Sequence, residues 1–161
     1  YIFGVAYGVG KSGCDRLAAD LAVELKPYNI ASLSIWPGIV GTETFLKIAE
    51  DLPEENTGDR NSQIFVDKYN WETPLFAGRA IAALAKEPQI MKMTGKVAIV
   101  AEVAKKYGLV DRDGNLPVSL RSLRFVLPFA VPALKKYASS IPDINIPWFI
   151  LLLSRLEAPK V

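Results

Sequence analysis

The chain has 161 residues, half of them apolar, which is enough material for the core of a single domain. Its net charge of +2, without any basic run, gives no support to a nucleic-acid partner. The absence of histidine excludes a Ser-His-Asp triad and a His-ligated zinc site. The single cysteine, Cys14, excludes an internal disulfide and a multi-cysteine metal site, and it fits a reducing compartment. We therefore expect no metal site.

The first strong signal along the chain is a helix over residues 7–26. Leucines recur at every fourth position from Leu17 to Leu25, which is the spacing of one helix face. Pro27 ends the helix. The leucine stripe is expected to be either core or a helix–helix contact face.

Two short apolar segments predict strands, with a helix between them. Residues 31–36 alternate between apolar and polar types, and residues 95–100 are rich in β-branched side chains. Residues 74–86 predict a helix with Thr73 at its N-cap and Pro74 at its first position. Alternation of helices and strands favours an α/β fold with a parallel sheet.

The segment between these elements, residues 43–71, has a different composition. It combines proline, glycine and asparagine with charged residues, which is typical of an excursion over the surface, with a short helix on each side.

The C-terminal part, residues 120–161, is rich in proline and apolar clusters. Its longest apolar run has six residues, whereas a spanning helix needs about 20. Trp148, with Lys135, Lys136 and Arg155 nearby, is compatible with a membrane interface. Ordinary packing against the domain and contact with a membrane surface are therefore the two alternatives for this part.

Tyr7 and Lys11 are the first candidate functional residues. Four residues separate them, so a helix places both side chains on one face, about one turn apart. A phenol beside an ammonium group can serve as an acid/base pair. The alternative is a half-buried tyrosine with the lysine stem packed along its ring.

The second candidate motif runs from Pro37 to Thr42, directly after the first predicted strand. Ligands of open α/β sheets bind at the carboxyl ends of the strands, where this motif would lie. Gly38 would let the backbone approach a ligand closely. The alternatives are a plain turn at Pro37-Gly38, and a helix-capping role for Thr42 ahead of Glu43.

The ordered set of Tyr7-x-x-x-Lys11, Pro37-Gly38 and Thr94-Gly95-Lys96-Val97 resembles the C-terminal half of a short-chain dehydrogenase/reductase. The resemblance covers residues 1–104, and residues 105–161 resemble the C-terminal extension of one subgroup. It implies an α/β fold made of the C-terminal half of a Rossmann-type doubly wound parallel sheet, followed by a helical or irregular apolar extension.

The resemblance also implies an activity, which is NAD(P)(H)-dependent hydride transfer between nicotinamide and a carbonyl or alcohol. Tyr7 would be the general acid/base. Lys11 would favour the ionised phenol and hold the nicotinamide ribose. The residues implied in cofactor binding are Tyr7, Lys11, Pro37, Gly38, Ile39, Val40 and Thr42.

The substrate class, the cofactor type and the cellular location are predicted in less detail than the activity. Residues 43–72 would form a substrate lid over a small hydrophobic carbonyl or alcohol compound. NADP is preferred over NAD as cofactor. The full-length protein would be a homo-oligomer inside the cell, in the cytoplasm or on the cytosolic face of the endoplasmic reticulum. The candidate apolar wall of the substrate pocket consists of Phe45, Leu46, Ile64, Phe65 and Trp71.

Parts of the implied active site have no counterpart in this sequence. The family's Gly-rich phosphate-binding turn, catalytic serine and catalytic asparagine would all lie ahead of Tyr1. We therefore expect the chain to be a fragment that is inactive and poorly folded alone. The alternative is a non-catalytic interaction or membrane-associated protein built on the same scaffold.

Overall fold

The computed structural model describes residues 4–51, 68–112 and 114–151. The chain divides into two compact units, residues 1–117 and 118–161. The predicted boundary after residue 104 stays a prediction. The elements of the first unit are α1 (Gly4–Leu25), β1 (Ser34–Trp36), β2 (Ile39–Val40), α2 (Glu43–Asp51), β3 (Trp71–Glu72), α3 (Pro74–Ala85), β4 (Val97–Ile99) and α4 (Val100–Tyr107).

The strands form two short parallel pairs. β1 pairs with β4, with Ser34 opposite Val97 and Trp36 opposite Ile99. β2 pairs with β3. Parallel strands need a crossover connection rather than a tight turn, and the described helices α2 and α3 lie in these connections. The predicted α/β class with parallel pairing is confirmed, whereas the Rossmann-type half sheet stays a prediction.

Helix α1 confirms the first predicted helix and packs through small side chains. Ala18 and Ala22 are buried, whereas Leu17 is 58% exposed and so lies outside the core; the alternative of a helix–helix contact face stays a prediction. Alanines at this contact let the helix axis lie close to the sheet. Past Leu25 the chain tightens into a 3-10 turn and reverses at Asn29, which adopts a left-handed conformation with φ of 56°.

The two strands predicted from the sequence are present but shorter than expected. β1 begins at Ser34, and β4 gives way at Val100 to helix α4, which the sequence pattern did not indicate. The apolar run that predicted a strand continues into the buried face of this helix, at Val100, Val103 and Ala104. The strands β2 and β3 contain two residues each, which is too short for a periodic signal.

The core of the first unit lies where α3 and α4 pack beside β4. Phe76 and Val100 have no exposed surface, and smaller side chains fill the space between them. Burial of such side chains is the main stabilising contribution, at about 25 cal/mol per Å² of apolar surface. The buried cluster consists of Phe76, Ala80, Leu84, Ala98, Val100, Val103 and Ala104.

The second unit is built around helix α5 (Leu123–Ala130). Ser122 caps this helix: its hydroxyl oxygen accepts a hydrogen bond from the Arg124 amide at 3.2 Å and donates one to Asp143 at 2.7 Å. The rings of Phe125 and Phe129 stack with centroids 5.8 Å apart. Among the described residues, no helix combines the length and the apolar composition needed to cross a bilayer.

Gly95→Ala should destabilise the protein by about 1–3 kcal/mol, because Gly95 has a left-handed φ of 75° that favours glycine. In addition, a Cβ atom there would lie 3.1 Å from the Cβ atom of Ala22. Urea unfolding measures the difference. The matched control is Gly78→Ala, inside α3 with no atom within 4 Å of the new methyl group. It should stabilise by about 0.5–1 kcal/mol, and equal effects of the two changes would contradict the prediction.

Candidate functional site

Tyr7 and Lys11 lie next to each other on the exposed N-terminal half of α1. The Nζ atom of Lys11 lies 5.3 Å from the centroid of the Tyr7 ring, and the tyrosine is 46% exposed. The predicted adjacency on one helix face is therefore present, and the phenol can be reached from solvent. The catalytic roles of the two residues stay predictions at this point.

Asp15, which the sequence analysis missed, fixes α1 against the first strand. Its Oδ1 atom accepts a hydrogen bond from the Ser34 hydroxyl at 2.5 Å and another from the indole N–H of Trp36 at 2.8 Å. A carboxylate that accepts two such bonds across a helix–strand contact sets both the rotation and the height of the helix. Its position four residues after Lys11, on the same face, was the available signal.

These contacts give α1 a direction relative to the strands. Ala22 lies against Gly95, just before β4 begins, whereas Asp15 reaches along β1 to its last residue. The helix therefore runs opposite to the strands. Because a helix rises about 1.5 Å per residue, the eight residues from Asp15 back to Tyr7 extend about 12 Å along the helix axis, in the direction of the carboxyl end of β1. Both candidate motifs thus lie toward the same end of the strands.

Thr42 begins helix α2, as the capping alternative predicted. Its carbonyl oxygen accepts a hydrogen bond from the Leu46 amide at 2.9 Å, and its hydroxyl oxygen accepts one from the Phe45 amide at 3.4 Å. The Thr42 amide donates to the Val40 carbonyl at 2.8 Å. Because a hydroxyl that accepts a bond keeps its own proton for donation, this capping contact is compatible with a bound ligand.

The segment from Gly38 to Gly41 is packed tightly against β3. The Gly41 amide donates to the Glu72 carbonyl at 2.9 Å. A Cβ atom added at Gly38 would lie 2.9 Å from Oε2 of Glu72, and one added at Gly41 would lie 3.0 Å from the Trp71 ring. The side chains of β3 therefore leave little room for a larger residue at Gly38 or Gly41, whereas the approach of a ligand at Gly38 stays a prediction.

Glu72 is the second residue that the sequence analysis missed. The side chain is 2% exposed, and among the described residues neither carboxyl oxygen has a hydrogen-bond partner. Burial raises the pKa of Glu72 to about 7; the backbone of Gly38 lowers it in part, and the charge of Asp111 raises it further. An acidic residue between Trp71 and Thr73-Pro74, at the start of a helix, gave no signal of burial.

Asp111 is a second buried acid, and its environment is the opposite one. It accepts hydrogen bonds from the Thr73 amide at 2.7 Å, from the Thr73 hydroxyl and from the Arg112 amide at 2.7 Å. Burial alone would raise the pKa of Asp111, but these hydrogen bonds and the charge of Arg79 outweigh it and hold the pKa below its usual value. The Thr73 hydroxyl therefore binds Asp111 instead of capping α3 as predicted, although Thr73 does occupy the N-cap position.

The predicted lid is described in part. Phe45, Leu46 and Trp71 are half-buried, whereas Ile64 and Phe65 lie outside the described residues.

A cavity of about 560 Å³ lies elsewhere, and none of the predicted site residues lines it. Its lining residues are Arg79, Ala82, Ala83, Lys86, Glu87, Pro88, Tyr107 and Leu109.

Glu72→Gln should remove a pH dependence of stability. Because the pKa of Glu72 is raised in the folded state, folding binds its proton, so the contribution of Glu72 to stability is fully present below about pH 4.5 and is lost as the pH rises through about 7. A rise from 4.5 to about 7 corresponds to a loss of about 3 kcal/mol. The free energy of unfolding of Glu72→Gln should stay level over this range in urea titrations.

The pH range isolates this group. The pKa values of Asp111 and Glu87 are both lowered, that of Glu87 to about 2, so these groups titrate at more acid pH. The chain contains no histidine. If the free energy of unfolding changed with pH in the same way in the wild type and in Glu72→Gln, the assignment of a buried, mostly protonated Glu72 would be contradicted.

Comparison with known proteins finds two relatives that share a name. It is 39% identical over 129 residues to dehydrogenase/reductase SDR family member 1 of Mus musculus, an alignment that covers 79% of this chain and 40% of the mouse protein. It is 38% identical over 155 residues to the protein of the same name from Homo sapiens, covering 95% of this chain and 49% of the human protein. The chain thus spans about half, or less, of the length of these relatives.

No family model matches the chain. The alignment with the human protein nevertheless covers 95% of this chain, so it includes the segment from Pro37 to Thr42. The chain is therefore homologous to proteins of the short-chain dehydrogenase/reductase family over most of its own length, as its motifs predicted.

Proposed function

We propose that the chain forms part of an NAD(P)(H)-dependent oxidoreductase that transfers hydride between nicotinamide and a carbonyl or alcohol substrate. The observation that carries this proposal is the Lys11 ammonium at 5.3 Å from the Tyr7 ring, on an exposed helix face that Asp15 directs past the end of β1. Homology to the dehydrogenases supports an oxidoreductase in general terms.

The residues at this edge fit the nicotinamide riboside half of a dinucleotide. The ammonium group of Lys11 can donate hydrogen bonds to ribose hydroxyls, and the Thr42 hydroxyl keeps its proton for the carboxamide or a phosphate. Pro37, Ile39 and Val40 contribute exposed or half-buried backbone and apolar surface beside them. When bound, the cofactor supplies or accepts the hydride; the chain's own residues supply orientation and proton transfer.

Tyr7 would move the proton. Its Oη atom would donate a proton to the substrate oxygen during reduction and take it back during oxidation. Lys11, on the same helix face, would hold its positive charge beside the phenol, since its Nζ atom lies 5.3 Å from the ring centroid. Phe45, Leu46 and Trp71 would shield the reacting atoms from water on the lid side, which fits a small hydrophobic substrate.

The remaining parts of the predicted site would come from outside these 161 residues. We infer this because the chain aligns with only 40–49% of each relative. The Gly-rich turn and the catalytic serine would then lie in the longer protein, and these residues alone would be inactive. NADP preference, homo-oligomer formation and an intracellular location on the cytoplasmic side stay predictions.

Tyr7→Phe should abolish most turnover without preventing cofactor binding, because it removes the proton and leaves the ring. General acid/base groups contribute about 10²–10⁴-fold to rate, so kcat of the longer protein should fall by that factor. Oxidation of the reduced cofactor, followed by its absorbance, measures kcat.

The matched control is Tyr28→Phe. Tyr28 lies in the same unit, is 73% exposed and follows α1 in a 3-10 turn, so its loss should leave kcat unchanged. Normal turnover by Tyr7→Phe would refute the catalytic assignment and favour the non-catalytic alternative.

A second candidate function, contact with a membrane surface, is supported by the second unit. Trp148, Phe149 and Ile150 are consecutive and 43%, 63% and 45% exposed. The guanidinium group of Arg121 lies 5.0 Å from the centroid of the Trp148 ring. Apolar side chains with a cation beside them are the arrangement found at lipid interfaces. Of the other residues proposed for this contact, Arg155 lies outside the described residues.

Phe149→Ser should weaken binding to anionic liposomes in flotation assays. Burial of a phenylalanine side chain contributes about 1.5–3 kcal/mol, so the bound fraction should correspond to a binding constant lower by about tenfold or more. The matched control is Leu116→Ser, which changes a 61% exposed apolar residue in the first unit. Equal flotation of the two variants and the wild type would sink the membrane proposal.

A further inference from the structure

The buried Glu72 carboxyl lies beside the segment proposed to receive the cofactor, and the proposed mechanism does not use it. Its Oε2 atom lies 2.9 Å from the position that a Cβ atom would take on Gly38. It therefore occupies the space left by the missing side chain of that glycine. A substituent larger than hydrogen at Gly38 would displace either the carboxyl or the turn.

Main-chain contacts also hold β3 and the Gly38–Gly41 segment together. Val40 is opposite Glu72 in the parallel pairing of β2 with β3, and the Gly41 amide donates to the Glu72 carbonyl at 2.9 Å. Glu72 therefore contacts the Gly38–Gly41 segment near both of its ends, through its side chain and through its carbonyl oxygen. A shift of the Glu72 main chain must move this segment or break the pairing.

The protonation state of Glu72 decides how well it tolerates this position. β2 consists of Ile39 and Val40, which carry no charge, and the Gly38 backbone offsets the effect of burial only in part. The charged group that acts on it is Asp111, an anion held by hydrogen bonds from Thr73 and Arg112. A neutral carboxylic acid fits this buried position beside Gly38, whereas a carboxylate there is desolvated and is repelled by the charge of Asp111.

We propose that Glu72 is a positioning residue of the cofactor site, whose neutral carboxyl holds the Pro37–Gly38 turn in the conformation that receives the nicotinamide. This inference rests on the proposed function. Ionisation of Glu72 drives the carboxylate away from Asp111, which shifts the turn and weakens cofactor binding. Glu72 itself touches neither substrate nor reacting atoms in this assignment, so the chemical step does not depend on it.

The test is the dissociation constant of reduced nicotinamide cofactor as a function of pH, measured by fluorescence with the longer protein. The reduced ring is uncharged, so attraction between nicotinamide and a carboxylate does not contribute. In the wild type, Kd should rise by about tenfold between about pH 6 and pH 8. Glu72→Gln should bind the reduced cofactor tightly, with the same Kd across this pH range. Glu72→Ala should bind it weakly at every pH.

Two further comparisons separate a positioning role from a merely structural one. kcat at saturating cofactor should be the same for the wild type and Glu72→Gln, so that the effect appears only in binding. The matched control is Glu50→Gln, an exposed glutamate on α2, which should keep the wild-type pH profile.

A second readout needs neither cofactor nor activity. Hydrogen exchange of the Gly38 and Gly41 amides, corrected for the intrinsic effect of pH, should speed up in the wild type as the pH rises through about 7. In Glu72→Gln the corrected rates should stay level.

The outcomes distinguish the two levels of the proposal. If the wild type and Glu72→Gln bind cofactor with the same pH profile, the positioning role is overturned while the proposed oxidoreductase stands. If no variant binds cofactor at any pH, the proposed function fails, and the assignment of Glu72 to a cofactor site fails with it. pH-independent exchange of both glycine amides in the wild type also overturns the positioning role.

Discussion

The hydrogen bonds that Ser34 and Trp36 donate to Asp15 determine what the rest of the first unit can do. α1 is a long helix with few large buried side chains, since its buried positions are alanines. Packing of alanines alone would leave the helix free to slide or rotate on the strands, because a methyl group offers little interlocking surface. The shared carboxylate removes that freedom, and the direction of Tyr7 and Lys11 past the strand ends follows from it.

Glu72 and Asp111 show how two acids in one region acquire different properties from their hydrogen bonds. Both are almost completely buried, at 2% and 3% exposure. Asp111 receives donors from Thr73 and Arg112 and stays ionised, whereas Glu72 has no partner among the described residues and favours its neutral form. The anion then adds to the effect of burial on Glu72, because a second negative charge in a medium of low dielectric is disfavoured.

The sequence predicted the features that depend on local pattern. α1 and α3 follow from periodicity and from proline at the helix start, and the parallel pairing of β1 with β4 follows from element order. It could not predict β2 and β3, since a two-residue strand is defined by its partner rather than by its own alternation. The position of Glu72 could not be predicted for the same reason, because it depends on pairing with Val40, which is distant in the chain. The adjacency of Tyr7 and Lys11, by contrast, is a local helical property and could be predicted.

A buried acid without a partner lowers stability at neutral pH, and such groups persist where they serve a function. Glutamine would fill the same volume at Glu72 without the ionisation, so stability alone would favour it. Leucine or methionine would also avoid the charge, but neither has a polar end to place beside the Gly38 backbone. The combination of a glycine that makes room and an acid that fills this room is therefore explained better by control of the turn than by packing. Glu72, a buried acid of the first unit, is thereby connected to the edge where the proposed chemistry would take place.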